Sequence, residues 1–141
     1  MSGDVLCLVT VTGRPRTKGN VIRGRHGGYH DATKGLTPWM AALSKAARAA
    51  WSHGEPFSGA VRVDVHLAIP ARASDVLRGG LREGVEPVTR SAGDLDKLAR
   101  AVLDALTGIC YVDDSQVVDL RARKRYDIEG GATIAVMEAA A

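Results

Sequence analysis

Carboxylates are concentrated in one part of this chain. Six of its sixteen acidic residues lie between Gly93 and Leu120, although the chain carries a formal net charge of +3. Several carboxylates brought close together repel one another unless a cation lies among them, and hard divalent ions such as Mg²⁺ prefer this kind of all-oxygen site. An ion held in this way can activate water and polarise a phosphate, so the cluster points to phosphodiester cleavage.

The sequence from Leu95 onward predicts an amphipathic helix that ends at Gly108. Its apolar positions recur at intervals of three and four, at Leu95, Leu98, Ala99, Val102, Leu103 and Leu106. On the opposite face Asp96, Arg100 and Asp104 are four residues apart, so they line up one turn above another. Asp94 lies at or just before the first turn, which places two carboxylates at the start of the helix.

A second group of acids lies in the turn DDSQ, between two predicted strands, ICYV from Ile109 and VVDLRARKRY from Val117. If these strands pair beside the helix, the turn brings Asp113 and Asp114 near Asp94 and Asp96. The sequence therefore predicts a divalent metal site shared by the helix and the turn.

Each of these carboxylates also has a structural interpretation. Asp94 or Asp96 can cap the helix or interact with its dipole, and Asp104 can form a solvated pair with Arg100. Asp113 and Asp114 can serve the turn through their side-chain acceptors. The structural role is favoured for any one of them alone, whereas the spacing of the whole set favours the metal site.

The other patterns predict a single mixed α/β domain over residues 1–141, with a small sheet of about four strands and two main helices. The run from Val5 to Val11 is apolar on both faces, as in a strand buried within a sheet, and Val61 to Ile69 alternates like a half-buried strand. Thr37, as the cap, and Pro38 predict a helix that continues to about Trp51. A last strand follows Gly131.

Two segments lack such a pattern. Residues 13–30 are rich in arginine and glycine and predict a basic loop, or a ribbon that extends from the sheet. Residues 70–93 contain four glycines and predict a mobile excursion, with a short helix from about Ser74 to Leu81.

Composition limits the class of protein. Hydrophobic residues make up 45% of the chain and charged residues 25%, which excludes wholesale disorder and collagen-like or coiled-coil architectures. The early apolar run is too short to cross a membrane, and Asp4 stands where a signal peptide needs positive charge, so we expect a cytoplasmic protein. Cys7 and Cys110 lie in apolar stretches, which indicates buried free thiols in a reducing compartment.

The basic residues make nucleic acid a candidate partner. Fourteen of the nineteen are arginines, whose planar fork binds phosphate at two points. Arg121, Arg123 and Arg125 alternate along one predicted strand, with Lys124 on its other face. This stripe can track a phosphate backbone, or it can protect an exposed strand from edge pairing. The same two possibilities of DNA contact or simple exposure apply to the basic loop, at Arg14, Arg16, Lys18, Arg23 and Arg25.

The segment GDLDKLARAVLDALTGICYVDDSQVVDLRARKRY, from Gly93 to Tyr126, resembles the core of the RusA family of Holliday junction resolvases. The pattern of that family is Asp-x-Asp-Asn, two residues, Lys, a helix containing Asp-Ala-Leu, a short strand, Asp-Asp-x-Gln and a basic strand. The segment GRPRTKGN, after the first strand, resembles the Gly-x-Pro-x-x-Lys opening of the family more loosely.

This resemblance implies a homodimeric endonuclease that requires Mg²⁺, with Mn²⁺ as a possible substitute, and cuts four-way DNA junctions symmetrically in recombination and repair. It implies no nucleotide cofactor and no membrane partner, and a bacterial or phage-encoded origin. Its metal-binding aspartates correspond to Asp94, Asp96 and Asp114. Asp104 and Asp113 match further acidic positions, and Gln116 matches the glutamine.

Two positions depart from the family pattern. Lys97 stands where the family has asparagine, and Arg100 stands where it has a functionally important lysine. Arginine keeps the positive charge and can clamp a phosphate, but it cannot act as a compact ammonium. Cleavage at Asp94, Asp96 and Asp114, with Arg100 and Lys97 balancing charge, is therefore one expectation. The alternative is a protein that binds junctions and cleaves them weakly or not at all.

Overall fold

A computed structural model describes residues 3–77 and 79–139. Elements are numbered in chain order: β1 (Val5–Thr12), β2 (Val21–Arg23), β3 (Tyr29–Asp31), α1 (Leu36–Ala50), β4 (Val61–Pro70), β5 (Val76–Leu77), β6 (Gly80–Leu81), α2 (Leu95–Leu106), β7 (Val117–Asp127) and β8 (Gly131–Glu138). Three single 3₁₀ turns lie at Ala73–Asp75, Arg90–Ala92 and Asp114–Gln116.

Four strands form a mixed sheet in the order β1-β8-β4-β7. Strands β1, β8 and β4 pair antiparallel, whereas β4 and β7 run parallel, with α2 in the connection between them. The predicted sheet of about four strands and two main helices is therefore confirmed. The connection carries α2 and the turn after it onto the sheet, and this crossover positions the predicted acidic residues.

Both helices cover the same face of the sheet. Strand β4 alternates as predicted, because Val61, Val63, Val65, Leu67 and Ile69 are all buried while the residues between them are not. The buried side chains of this face join those of α1 and α2 in one hydrophobic cluster. The other face of the sheet is open to solvent.

The first strand differs from its prediction in one respect. Strand β1 lies at an edge of the sheet, and only its residues that face the helices, such as Val9 and Val11, are buried. Leu8 and Val5 remain 64% and 58% exposed on the open side. The expectation of burial on both faces was wrong because, among the residues that the structure describes, no element covers the open face of the sheet.

Helix α2 has the predicted bounds, whereas α1 starts earlier than predicted. Gly35, with φ 78°, occupies the N-cap of α1, and Thr37 makes no capping bond. Pro38 lies in the first turn. Backbone N–H groups in the first turn have no partner within the helix, so the N–H that proline lacks costs no hydrogen bond. The glycine replaces the predicted threonine cap because it adopts the left-handed conformation without a steric cost.

The described residues of the segment 70–93 do not form the predicted short helix. A 3₁₀ turn and the two-residue strands β5 and β6 occupy this region instead, with paired glycines at the connection. The buried carboxylate of Asp75 is paired with Arg72 at 2.7 Å. The segment therefore follows glycine-dependent turn geometry and not the helical period.

The predicted strand from Ile109 to Val112 is also absent. A tight turn follows α2 instead, closed by hydrogen bonds from Cys110 N–H to the carbonyl of Leu106 and from Gly108 N–H to that of Tyr111. The buried Tyr111 hydroxyl donates to the carbonyl of Leu103 at 2.6 Å. The segment meets Phe57 at an isolated bridge, where the N–H of Phe57 donates to the carbonyl of Cys110 at 3.1 Å, and it adds no ladder to the four-stranded sheet.

The basic segment forms a ribbon, one of the two predicted alternatives. Strands β2 and β3 pair as a small exposed hairpin. Its base, around Thr17 and Asn20, packs beside α2, where the side chain of Lys97 bonds to Asn20 at 2.7 Å.

Both cysteines are buried and unbridged, as predicted. Burial raises the pKa of the Cys110 thiol to about 12, so it stays protonated at neutral pH. Across residues 3–77 and 79–139, no helix has the length and apolar character needed to cross a membrane.

Candidate active site on the second helix

The exposed face of α2 carries a row of charged side chains. Asp96 and Arg100 are exposed and Asp104 is half-buried, whereas Leu98 and Val102 on the opposite face lie in the core. Residues four apart on a helix lie about one turn from each other, so the row extends along the helix as the sequence predicts.

Asp94 occupies the N-cap position of α2 without acting as a side-chain cap. Its backbone is extended and its carboxylate makes no capping hydrogen bond. The carboxylate is 72% exposed and lies 3.9 Å from the ammonium of Lys97. Its oxygens are therefore available to a ligand. The alternative interpretation of Asp94 as a side-chain helix cap is not what the structure shows.

Two contacts fix the backbone just before Asp94. The Lys124 ammonium, on the face of β7 turned toward the helices, donates to the carbonyl of Gly93 at 2.6 Å. Gly93 has φ 91°, and a side chain there would meet Thr17 at 2.7 Å. Lys124 thus positions the start of α2. The sequence pattern, in which Lys124 alternates with the arginines of β7, did not predict this role.

A cleft of about 420 Å³ lies beside this end of α2. It is lined by Thr17, Asn20, Arg90, Gly93, Asp94 and Lys97. Arg90 is exposed and Lys97 is half-buried, so the cleft places two cations beside the carboxylate of Asp94. This combination suits an anionic group that approaches the acidic row from solvent.

In the turn between α2 and β7, Asp113 has a structural role. Its carboxylate accepts hydrogen bonds from the backbone N–H of Ser115, at 3.2 Å, and from the Ser115 hydroxyl. These bonds lower the pKa of Asp113. The carboxylate is therefore directed into its own turn.

Gln116 completes this turn. Its side-chain oxygen accepts from the N–H groups of Val112 and Asp113 at 2.8 and 2.9 Å. Its side-chain nitrogen donates to the carbonyls of Phe57 and Gly59 at 2.7 and 2.8 Å. The turn is thereby fixed to the segment that leads into β4.

Asp114 faces α2. A hydrogen bond with Asp104 is the main cause that raises the pKa of Asp114, and burial and the charges of Asp104 and Asp113 add to it, whereas Arg100 lowers it. The structure therefore joins the turn to the helix at Asp104, two turns beyond Asp96. Asp104 was not among the predicted metal ligands, although its spacing from Asp96 and Arg100 had placed it on the same face.

The base of the basic ribbon approaches the same point. The ammonium of Lys18 lies 2.6 Å from the carboxylate of Asp104, and the backbone N–H of Lys18 donates to the carbonyl of Lys97 at 3.0 Å. Gly19 lies against Arg100, because a side chain built at Gly19 would come within 3.2 Å of its guanidinium. Lys18 is thus part of the site and not of the exposed hairpin.

The other predicted DNA contacts divide between two surfaces. Arg23 and Arg25 are exposed on and after β2 in the ribbon, and Arg14, at its base, donates to the carbonyl of Ser91 at 3.1 Å. Arg16 packs beside Gly35, at the start of α1.

The stripe on β7 lies elsewhere. Arg121, Arg123 and Arg125 are exposed and lie beside Asp64, His66 and Ala68 of β4, on the open face of the sheet. Burial, followed by the charges of Arg123 and Arg125, lowers the pKa of His66. Since α2 covers the opposite face, the stripe and the acidic row do not share a surface within one chain.

The donor chemistry of the site fits a hard divalent ion. Magnesium is commonly bound through one or two carboxylates, together with waters and substrate phosphates. Asp104 and Asp114 supply two carboxylates. The hydrogen bond with Asp104, followed by burial and by the charges of Asp104 and Asp113, raises the pKa of Asp114. In the side-chain positions described for residues 3–77 and 79–139, no three His, Cys, Asp or Glu residues form a metal-binding group.

The fold is a small α+β domain that brings carboxylates and basic side chains together on α2, and comparison with protein families identifies its family. The model of the family described as endodeoxyribonuclease RusA matches residues 11–137 of the 141-residue chain. The chain therefore belongs to the RusA family of endodeoxyribonucleases. Membership implies Holliday junction resolution, action on branched DNA and, in general, dependence on a divalent metal. No curated protein matches the chain at a significant level.

Asp114→Asn should raise the thermal midpoint of the protein at neutral pH with a chelator present, by about 1–3 °C. The pKa of Asp114 is raised in the folded state. Its contact with Asp104 therefore stabilises the fold below the ordinary aspartate pKa, and this contribution is lost as pH rises through the raised pKa. Differential scanning calorimetry at pH 7 and at acidic pH measures the change, which should disappear in acid.

Asp113→Asn provides the matched control, because the effect should have the opposite sign. The pKa of Asp113 is lowered, so its ionised form stabilises the fold above the ordinary pKa and this contribution is lost as pH falls through the lowered value. At neutral pH this variant should melt below the wild type. Equal changes of the same sign in the melting temperatures of both variants would show that the pKa values of Asp113 and Asp114 are not shifted in opposite directions.

Proposed function

We propose that this protein resolves four-way DNA junctions by divalent-metal-dependent hydrolysis of phosphodiester bonds, at the carboxylates of α2 and the following turn. The observation that carries the proposal is the contact between Asp114 and Asp104, because it brings the acidic turn onto the acidic face of the helix. The family match over residues 11–137 supports the substrate class.

Asp94, Asp96 and Asp114 are the proposed metal ligands. Because Asp114 meets α2 at Asp104, its side chain would have to turn toward Asp96 to share one ion with it. The bound ion, Mg²⁺ or Mn²⁺, supplies a Lewis acid and an activated water. The carboxylate of Asp113 is held by Ser115 and supports the site by shaping the turn. It would bind the ion only after leaving those bonds.

The cations beside the carboxylates orient the DNA strand and balance its charge. Arg100 stands between Asp96 and Asp104 on the helix face, where its fork can hold a phosphate oxygen. Lys97 and Arg90 line the cleft at the start of α2 and can hold a neighbouring phosphate. The alternating anions and cations along α2 thus position a DNA strand across the helix through its phosphates, without reading the base sequence.

The basic ribbon is proposed to carry the DNA arm nearest the site. Arg23 and Arg25 lie on the ribbon whose base packs on α2, and Arg14 and Arg16 flank that base. One duplex on α2 cannot also lie on Arg121, Arg123 and Arg125, which face the other side of the sheet. Those three arginines are proposed to contact a different part of the junction.

A homodimer is the proposed assembly. A four-way junction has approximate two-fold symmetry, and a two-fold dimer presents one site to each of two opposed strands. Paired cuts at symmetric positions follow if both sites act before the complex dissociates. Sedimentation analysis of the protein with and without a junction measures this stoichiometry.

The wild-type protein should bind a synthetic four-way junction in Ca²⁺ and cut it when Mg²⁺ or Mn²⁺ is added. With each of the four strands labelled in turn, denaturing gels should show nicks at symmetric positions in one opposed pair. A linear duplex with the sequence of one arm is the control and should remain largely intact. Products from the duplex at an equal rate would contradict junction selectivity.

The same experiment tests the second candidate, junction binding with little or no cleavage. The observation that favours it is the guanidinium of Arg100, which lies close enough to Asp114 to lower its pKa and cannot act as a compact ammonium. A stable complex that yields no products in Mg²⁺ or Mn²⁺ would support this candidate over the first.

A further inference from the structure

The environment of Lys18 suggests more than contact with a DNA backbone. Its ammonium lies 2.6 Å from the carboxylate of Asp104, and Asp104 is the main cause of the raised pKa of Asp114. The Lys18 side chain is 32% exposed, less than a solvated surface lysine. A compact positive charge is therefore held at the point where the helix and the acidic turn meet.

The backbone holds Lys18 at this point, where the base of the hairpin meets α2. Its N–H donates to the carbonyl of Lys97 at 3.0 Å, and the next N–H, that of Gly19, donates to the carboxylate of Asp31 at 2.7 Å. Gly19 has φ 116° and closely approaches Arg100, so a side chain there would be strained and would crowd the guanidinium. The chain is thereby kept against α2 at Lys18 and Gly19.

Lys18 and Arg100 differ in the contacts that they can make. A guanidinium spreads its charge over a planar fork, whereas an ammonium is a compact charge with three rotatable donors. Both groups lie near Asp104 and Asp114. Arg100 belongs to α2, whereas Lys18 belongs to the base of the ribbon that packs on α2. A phosphate group bound at these carboxylates would lie within reach of both cations.

We propose that Lys18 is a catalytic residue whose ammonium contacts a non-bridging oxygen of the scissile phosphate and stabilises the charge that develops there during hydrolysis. The proposal rests on the junction-cleaving function proposed above. In the free protein Asp104 holds the ammonium in place, and the phosphate takes over part of this contact on binding. Electrostatic stabilisation of this kind acts on the rate of the bound complex more than on its affinity.

Lys18→Met should lower the single-turnover cleavage rate at saturating protein by about 100-fold, with junction affinity in Ca²⁺ changed by less than about threefold. Lys45→Met, on the exposed side of α1, is the matched control and should cleave like the wild type. A Lys18→Met rate close to that of the wild type would overturn the proposal, and so would a loss seen only as weaker binding.

Chemical rescue separates the ammonium from a structural effect. Lys18→Cys should be slow, and alkylation with bromoethylamine, which restores an ammonium on a side chain of similar length, should recover most of the rate. Iodoacetamide, which adds a neutral group, should not. The two native cysteines are buried, so the treated wild type reports any other alkylation. Failure of bromoethylamine to restore a folded, alkylated variant would overturn the proposal.

The wild-type result distinguishes this inference from the proposed function. If the wild type cuts junctions and Lys18→Met cuts them equally well, only the role of Lys18 fails. A different result is that the wild type binds junctions without cutting them, whereas Arg100→Lys cuts them. Lys18 then does not supply the required ammonium, so the inference about Lys18 fails while the assignment of the site stands. If neither protein cuts, the proposed function fails with it.

Discussion

Asp96→Asn should reduce junction cleavage by at least about 1000-fold, because Asp96 is a proposed metal ligand and its loss would remove several kcal/mol of transition-state stabilisation. Binding should be unchanged or tighter, since the substitution removes a negative charge that repels phosphate. Asp96 is exposed in the first turn of α2, where amide and carboxylate have similar shape, so the fold should be unaffected. Single-turnover cleavage in Mg²⁺ and junction titration in Ca²⁺ measure the two effects separately.

Asp119→Asn is the matched control for this experiment. Asp119 is an exposed carboxylate of the same segment, but it lies on β7, beside Arg62 on the open face of the sheet. It should cleave and bind like the wild type. Cleavage by Asp96→Asn at close to the wild-type rate would show that the metal assignment is wrong, whereas equal losses in both variants would indicate a general effect of charge.

The elements that sequence analysis predicted well are those whose pattern is decided locally. Helix α2 combines a continuous apolar face with a glycine just after its end, and its bounds are those expected. Strand β4 alternates over its whole length because it is central in the sheet and one of its faces is packed. In both elements the apolar residues recur at one regular interval, and the face that they form is the one that packs in the core.

The failures have tertiary causes. Ile109 to Val112 has the composition of a strand, but the turn after α2 uses its backbone groups and buries Tyr111 against the helix. Strand β1 is apolar on both faces, yet its position at the sheet edge leaves Leu8 exposed. Neither the competing hydrogen bonds nor the missing second layer can be read from a local pattern.

The candidate site was predictable only in part, for the same reason. The alignment of Asp96, Arg100 and Asp104 follows from helical spacing alone. Which acid of the turn faces the helix depends on Ser115, which binds Asp113 and leaves Asp114 directed toward Asp104. The approach of Lys18 to Asp104 joins residues far apart in sequence, and it requires the ribbon to fold back on α2. Long-range contacts of this kind carry no periodic signal.

Gln116→Ala should lower the free energy of unfolding by about 1.5–3 kcal/mol. The side chain makes four hydrogen bonds, and those to the carbonyls of Phe57 and Gly59 are partly buried. These two carbonyls would lose their partner, whereas the N–H groups of Val112 and Asp113 are exposed and can bind water instead. Urea denaturation followed by circular dichroism measures the loss, which should appear as a lower midpoint at an unchanged slope.

Gln116→Glu shows which of these bonds matters. The carboxylate keeps the two acceptor contacts to Val112 and Asp113 but cannot donate to Phe57 or Gly59, so at neutral pH it should lose most of the stability lost in Gln116→Ala. Both variants should also cleave junctions more slowly, because Asp114 belongs to the turn that Gln116 fixes to the segment before β4. A stable Gln116→Ala variant with full activity would mean that the turn keeps its position without this side chain.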